Sequence, residues 1–356
     1  MYLPDSMEAY LWGFAFDTNM SESENLNITQ SNQKNTFLDS LNWKDTVLIV
    51  CFCLIFVVGV TGNLLVCYVL KIRSKEPLSV METLIFYLAV VDLLSSIINP
   101  AMYIYWTVTY REKWHFGLTG CIILSGLTRI FLNMSFGIIL VIALDRYFLI
   151  VKPFGLQFTM KTIRLLVGIV LTASILMDLP YIFFKQVNDK YNCRVSPNAG
   201  IKFRIPRVTT LLLRDVAFAC ILGFTVYFIR KVLYDKDRNE TLQQKRQVMK
   251  YRKIVHLLET IAVMFMFLVF PRDLFHVIYL ISQLHPLRIP YTVTVLHINS
   301  ALKILHMANS VVNVFIYAKL HSHFRHTLKN WCCAKKKKIE VPREDPEIQN
   351  PVDVIM

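Results

Sequence analysis

Asp92 sits in the apolar run Leu88-Ala89-Val90-Val91-Asp92. At the centre of a helix in lipid a lone carboxylate costs about 2.5–3.5 kcal/mol, so such a residue needs partners. Oxygen-bearing side chains in the other apolar runs are few: Ser135, Asn309, Ser310 and Asn313. With Asp92 they have the chemistry of a small hydrated cage for a monovalent cation. A protonated or merely hydrogen-bonded aspartate is the alternative.

A second constellation, Asp145-Arg146-Tyr147, closes the third apolar run, and Pro153 follows. Adjacent opposite charges at a membrane face can hold the arginine in a local pair or release it to a partner docking from the cytosol. A third is a set of cations inside the runs: Arg129, Arg214, Arg272 and Lys303. Arg129 precedes Arg146 by 17 residues, about 25 Å of helix, which puts it near the opposite mouth. These cations either receive an acidic ligand or pair with Asp178, Asp215 and Asp273. The loop between the fourth and fifth runs adds Lys185, Lys190, Arg194, Lys202, Arg204 and Arg207 against Asp189 alone. A mouth so charged concentrates anions. The aromatic residues Tyr103, Tyr105, Trp106, Phe131, Tyr181, Phe275, Tyr279 and Tyr291 would give an open cavity suited to a peptide. No histidine is paired with a Ser or Cys nucleophile at a meaningful spacing, so the chain is not expected to be an enzyme.

These residues need a scaffold that lives in lipid. Of 356 residues, 54% are hydrophobic and only 18% charged, with mean hydropathy +0.44; soluble chains carry about a quarter charged residues. Extensive disorder is excluded by 24 Phe and 16 Tyr, which are too apolar to leave in water. Seven runs are long enough to cross a bilayer as helices: Thr46–Leu70, Val80–Trp106, Cys121–Val151, Leu165–Phe184, Val208–Leu233, Ile254–Leu284 and Tyr291–Ala318. No inverted repeat of broken segments is visible, which counts against a secondary transporter.

The formal charge of +14 is unevenly spread, with a net −5 over residues 1–45. The positive charge comes in short bursts between apolar runs, not in one groove-sized patch, so no nucleic-acid partner is expected. The eight cysteines show no CxxC or Cys/His zinc spacing, and no metal is expected beyond the cation cage. Ala9–Phe16 is short and lacks a basic flank, so no secretory signal is expected there. Lys and Arg number 22 in the segments on one side of the runs and 11 on the other, which orients the N-terminus outside. The sequons at Asn19 and Asn27 fall on that outer side and are candidate glycosylation sites. A chance triplet at Asn239, on the inner side, shows that such motifs arise without use.

The chain thus divides into an extracellular tail (1–45), a membrane domain (46–318), an amphipathic helix (319–333) and a cytoplasmic tail (334–356). Leu320, Phe324, Leu328 and Trp331 lie at helical spacing among cations, as in a helix lying on the inner membrane surface. Cys332 and Cys333 precede the run Lys335–Lys338, a pattern suited to S-palmitoylation and attraction to anionic membrane lipid.

Several motifs occur in one order. They are Gly62-Asn63, Leu88 to Asp92, Trp114-His115-Phe116-Gly117, Cys121, Asp145-Arg146-Tyr147, Pro180, Tyr227, Pro271, Asn313-Val314-Phe315-Ile316-Tyr317 and Phe324-Arg325. Over about Thr46 to Cys333 the chain resembles a rhodopsin-like (class A) G-protein-coupled receptor. The resemblance implies an all-α, seven-transmembrane helix bundle in the plasma membrane. It implies a disulfide between Cys121 and Cys193, and a sodium site of Asp92, Ser135, Asn309 and Asn313, sodium being an allosteric modulator and the one cofactor expected. Asp145, Arg146 and Tyr147 would meet a heterotrimeric G protein, with Tyr227 and Tyr317 stabilising the released arginine. Arrestin is a further expected partner. At the depth where family ligands dock lie Thr128, Arg129, Leu132, Arg272, His276 and Lys303. The expected ligand is an extracellular peptide, with an acidic ligand, including a small organic or lipid acid, as the alternative. A seven-helix channel or transporter is the reading from another class.

The sequence departs from the family pattern at Val269, Ala219, Val170 and Val314, where tryptophan, proline, tryptophan and proline are usual. Met307 stands where visual pigments carry the retinal lysine, and Thr128 where aminergic receptors carry aspartate. Retinal and monoamine ligands are therefore not expected.

Overall fold

The computed structural model describes residues 43–73, 77–109, 114–155, 157–187, 193–196, 199–239, 242–284, 289 and 293–320. The helices are α1 (Trp43–Tyr68), continued by a π turn Val69–Arg73, α2 (Val80–Val108), α3 (Gly117–Val151), α4 (Met160–Phe183), α5 (Gly200–Asn239), α6 (Leu242–Leu268), α7 (Phe270–Ser282) and α8 (Val293–Leu320). Within them seven stretches are long and apolar enough to cross a membrane, and α6 with α7 makes up the sixth, Tyr251–Ser282. This is the seven-helix bundle expected. Asn19, Asn27, Cys332, Cys333 and the amphipathic segment after Leu320 lie outside the described residues.

Local chemistry sets where these helices begin and bend. Ser79 caps α2 in a reciprocal box, the Glu82 carboxylate accepting from Ser79 N at 2.9 Å and Ser79 Oγ from Glu82 N at 3.4 Å, so two otherwise orphaned amides are paired. Thr159 caps α4, its Oγ1 accepting from Thr162 N at 3.3 Å. Pro271 enters the first turn of α7 and brings no N–H. It also crowds the preceding turn, so the sixth span breaks at Val269 instead of running straight.

The third, fourth and fifth helices start earlier than hydropathy places them, at Gly117, Met160 and Gly200. A helix ends where its hydrogen bonds end, and that need not be where the apolar run ends. The correction matters most in α5: Lys202, Arg204 and Arg207, assigned above to a loop, lie on the helix. The outer loop also forms a short hairpin, β1 (Lys185–Val187) antiparallel to β2 (Cys193–Val195), with Val187 opposite Cys193.

The inner half of the bundle is one apolar cluster, built around Leu84, Leu88, Ile138, Ile142, Leu258 and Tyr317. Its upper layer is aromatic: Phe136 and Phe218 both contact Phe265, at centroid distances of 4.9 and 4.2 Å. Close helix approach is built in by small residues. A Cβ on Gly59 would stand 2.8 Å from Ser96 Cβ, which holds α1 tight against α2. Asn63 Nδ2 then donates to Gly59 O at 2.9 Å and to Ser310 O at 3.1 Å, tying α1 to α8. The outward faces carry exposed Leu165, Leu213 and Phe267, the surface that lipid solvates.

Candidate functional site

The outer end of the bundle holds a cavity whose lining includes all six residues placed at ligand depth: Thr128, Arg129 and Leu132 from α3, Arg272 and His276 from α7, and Lys303 from α8. Tyr103, Trp106 and Tyr181 also line it. Tyr105 instead packs edge-on against Trp114 at 5.8 Å, in the outer loop, and Phe131 packs on the inner core. Tyr291 is outside the described residues. Sequence reasoning placed Arg214 among the cations at this depth and Arg207 in the outer loop, and left out Asn99, Asn133, Asp273, His306 and Met307 as lining residues. Arg214 and Asp273 were visible as charges in apolar runs, and Arg207 was hidden by its assignment to a loop.

The cavity walls are ionic. Arg129 donates to Asp178 through Nε at 2.5 Å and Nη2 at 2.9 Å, and its guanidinium carbon lies 3.3 Å from the Tyr181 ring centroid. Arg214 donates to Asp215 Oδ1 from Nε at 2.9 Å and from Nη2 at 2.7 Å, to Asn133 Oδ1 at 3.1 Å, and also to Asp273. Asp273 is the hub of this second group, with Arg272 Nη1 at 3.5 Å and His306 Nε2 at 3.9 Å. Pairing within the protein therefore accounts for Arg129 and Arg214. It is looser for Arg207, whose Nη1 stands 4.0 Å from Asp178 and whose buried Nε has no hydrogen-bond partner among the described residues. Lys303 is 3% exposed, with its ammonium 5.0 Å from the Tyr103 ring.

The hairpin packs against α3. Cys121 and Cys193 are disulfide-bonded, with Cα atoms 5.5 Å apart. The bond fixes β2 to the start of α3, four residues before Ser125 and eight before Arg129. Lys185, at the base of β1, is buried with its ammonium 4.6 Å from the Tyr181 ring.

Below the cavity, Asp92 is fully buried. Ser135 Oγ donates to its Oδ1 at 3.0 Å and Asn313 Nδ2 to its Oδ2 at 2.8 Å. Ser310 Oγ donates to Ser95 Oγ at 3.3 Å, and Asn99 Nδ2 reaches the same hydroxyl at 2.9 Å. Asn309 is buried, and its Nδ2 has no hydrogen-bond partner among the described residues. A carboxylate, three hydroxyls and three amides thus lie together on α2, α3 and α8, with Ser135 and Asn313 bonded directly to Asp92.

At the inner end Arg146 is paired with its neighbour, Nε donating to Asp145 Oδ2 at 2.8 Å, and both residues are buried. Tyr147 faces α5, 5.8 Å from the Phe224 ring. Tyr317 is buried and its hydroxyl has no hydrogen-bond partner among the described residues. Tyr227 is not brought to this group: it is 61% exposed, its ring 5.3 Å from Phe228. With Arg146 held by Asp145, the arginine makes no demand on a tyrosine from α5.

A family model described as 7 transmembrane receptor (rhodopsin family) matches residues 62–317. Among curated proteins, the C5a anaphylatoxin chemotactic receptor 1 of Rattus norvegicus is 30% identical over 183 residues, 49% of this chain and 50% of that protein. The gonadotropin-releasing hormone receptor of Octopus vulgaris is 29% identical over 192 residues, 52% and 46% respectively. The human C5a anaphylatoxin chemotactic receptor 1 is 35% identical over 121 residues, 33% of each chain. The chain spans about half the length, or less, of these relatives.

Proposed function

Because the chain belongs to the rhodopsin family of seven-transmembrane receptors, we propose that it is a plasma-membrane receptor, N-terminus outside, that couples an extracellular peptide to nucleotide exchange on a heterotrimeric G protein. The observation that carries this reading is the layout of α3. Its outer half lines the ionic cavity through Thr128, Arg129 and Leu132, and its inner end carries the closed Asp145–Arg146 pair. One rigid helix therefore presents a ligand site at one membrane face and a releasable cation at the other. A ligand that binds one arrangement of the bundle better than another shifts the population of both ends together.

A peptide is favoured by a cavity that combines aromatic walls, Tyr103, Trp106 and Tyr181, with several charges and amides. Similarity to receptors named for an anaphylatoxin and for a releasing hormone agrees with it. A small organic or lipid acid is the second reading, favoured by the cations in the same wall. Asp92, Ser135, Asn309 and Asn313 would hold a sodium ion, which supplies positive charge to the buried carboxylate and favours the inactive arrangement. Arrestin binding at the inner face and acylation of Cys332 and Cys333 complete the proposal.

The test is nucleotide exchange on purified heterotrimeric G proteins added to membranes carrying the full chain, challenged with a peptide library. Ligand-dependent exchange supports the receptor. Ion flux through reconstituted vesicles without exchange would make the chain a channel or transporter.

A further inference from the structure

On α5, Phe218, Leu222, Val226 and Arg230 recur every four positions, so they form one stripe along the helix. Opposite them α6 presents Glu259, Ala262, Val263 and Met266. Between the two helices lies a groove of about 610 Å³. Phe218, Leu222 and Phe265 are buried as its floor, and Val263 and Met266 are exposed on its rim, the side that faces lipid. A Cβ on Gly223, which also lines the groove, would meet no atom within 4 Å. The slot is therefore open there and not filled by a neighbouring side chain. From Phe218 to Val226 it follows the helix for about 12 Å.

A groove in an apolar wall forfeits dispersion contacts until something fills it, and in a bilayer the material at hand is an acyl chain. The inner end of this groove is polar. Glu259 is an ionisable residue within the sixth span, and such residues mark sites more often than plain packing. Arg230 Nε forms an ion pair with Glu259 Oε1, joining α5 to α6 where the groove ends. The Arg230 side chain is 68% exposed and that of Glu259 22%, so the guanidinium is paired on one side and open on others. Lys231, the next residue, is exposed too. Residues 230–253, which join the two helices, hold nine Lys and Arg against three Asp and Glu. An apolar slot that ends in exposed cations complements a molecule with an acyl chain and an anionic head.

We propose that the α5–α6 groove is a binding site for an anionic phospholipid of the inner leaflet. One acyl chain lies along Leu222, Gly223, Val226, Val263 and Met266, and the phosphate meets Arg230 and Lys231. The leaflet rests on the N-terminus-outside orientation proposed above; the site itself rests only on the chain lying in a bilayer, and not on the peptide or G-protein reading. Arg230 then bonds the acid of α6 and the lipid head together, so the bound lipid reinforces the contact between the two helices near the end of α3 that carries Arg146. A sterol would fill the slot without using the cations, and the test separates the two.

The test uses the purified full chain in lipid nanodiscs containing phosphatidylglycerol or phosphatidylcholine with a photoreactive group in the acyl chain, and reads the labelled residues by mass spectrometry. Val263 and Met266 are 52% and 47% exposed, Phe267 and Leu165 69% and 65%, so lipid that merely solvates the surface should label the second pair at least as much as the first. Labelled phosphatidylglycerol is expected to favour Val263 and Met266 over Phe267 and Leu165 several-fold. Gly223→Leu, which puts a side chain into the open slot, should abolish that preference. Phosphatidylcholine in the native chain, and phosphatidylglycerol in Lys231→Gln or Arg230→Gln, should each show the preference reduced about fivefold, the scale of one cation beside an anionic lipid. Lys231→Gln leaves the Arg230–Glu259 pair intact and keeps the test open if Arg230→Gln does not fold. Labelling that follows exposure alone overturns the site. Equal preference with both lipids, or labelling displaced by cholesterol and not by unlabelled phosphatidylglycerol, overturns the anionic phospholipid as its occupant.

Discussion

Arg129 grips Asp178 with a two-pronged hydrogen bond, Nε to Oδ1 at 2.5 Å and Nη2 to Oδ2 at 2.9 Å, across the interface of α3 and α4. The carboxylate is fully buried and the arginine side chain is 17% exposed. Breaking such a pair strands a charge in a low-dielectric wall, which costs about 3–5 kcal/mol. Arg129→Gln and Asp178→Asn are each expected to lower receptor number at the cell surface strongly, for every ligand alike. The double variant should recover part of the loss, because neither charge is then left alone. Surface counting by antibody against an N-terminal tag decides it. A normal receptor number with loss of one class of ligand only would instead make Arg129 a ligand contact.

The Cys121–Cys193 disulfide closes a loop of 72 residues, and a bridge of that span typically contributes about 2–5 kcal/mol. Cys121→Ala and Cys193→Ala should reduce Tm and surface receptor number to the same extent, with the double variant no worse than either. Unequal single effects that add in the double would mean that each cysteine matters for a reason other than their bond.

If sodium is held by Asp92 and its neighbours, raising sodium at constant ionic strength should lower basal nucleotide exchange, since the ion favours one arrangement of the bundle. Asp92→Asn keeps the shape and most hydrogen bonds but removes the charge, so exchange should become independent of sodium. Retained sodium dependence in this variant would remove the cage from the account. The measurement needs no agonist.

Lys185 lies in the outer hairpin, outside the membrane-spanning segments. Burial, and then the neighbouring Arg129 guanidinium, hold its ammonium well below the usual lysine range. In the unfolded chain the same group titrates near a pKa of about 10.4. Below that value the unfolded state takes up a proton that the folded state does not, so this residue's contribution to stability falls as pH falls, until the folded group also protonates. Lys185→Met should flatten the rise of Tm from neutral to alkaline pH. An unchanged pH profile in the variant would mean that Lys185 is charged in the folded protein.

Much of the scaffold was legible in the sequence because lipid imposes a strong rule. A helix must bury its backbone polar groups and span about 30 Å, and seven apolar runs announce that directly. The positions of Asp92, Arg146 and the outer cations were legible for the same reason, since a charge in an apolar run is rare and conspicuous. Arg207 was not legible. It lies beyond the apolar part of α5, and hydropathy carries no mark of a helix that continues past the hydrocarbon. Tyr105 was assigned to the cavity by its ring and depth, yet the outer-loop residues Trp114, His115 and Phe116 take it up.

By itself, then, the sequence determined the number of spans and the placement of the buried charges along each, while the Cys121–Cys193 pairing was what its family resemblance implied. What only the tertiary structure decided is which charge meets which. Asp178, Asp215 and Asp273 were all candidates for all of the cations, and one-dimensional spacing left the choice even. Helix rotation and packing gave Asp178 to Arg129, and Asp215 with Asp273 to Arg214, with Arg272 also 3.5 Å from Asp273. The reason is geometric: ion pairing in a low-dielectric interior is decided over a few ångströms. Hydropathy places a residue along its span and says nothing of the rotation that turns it towards one neighbour or another.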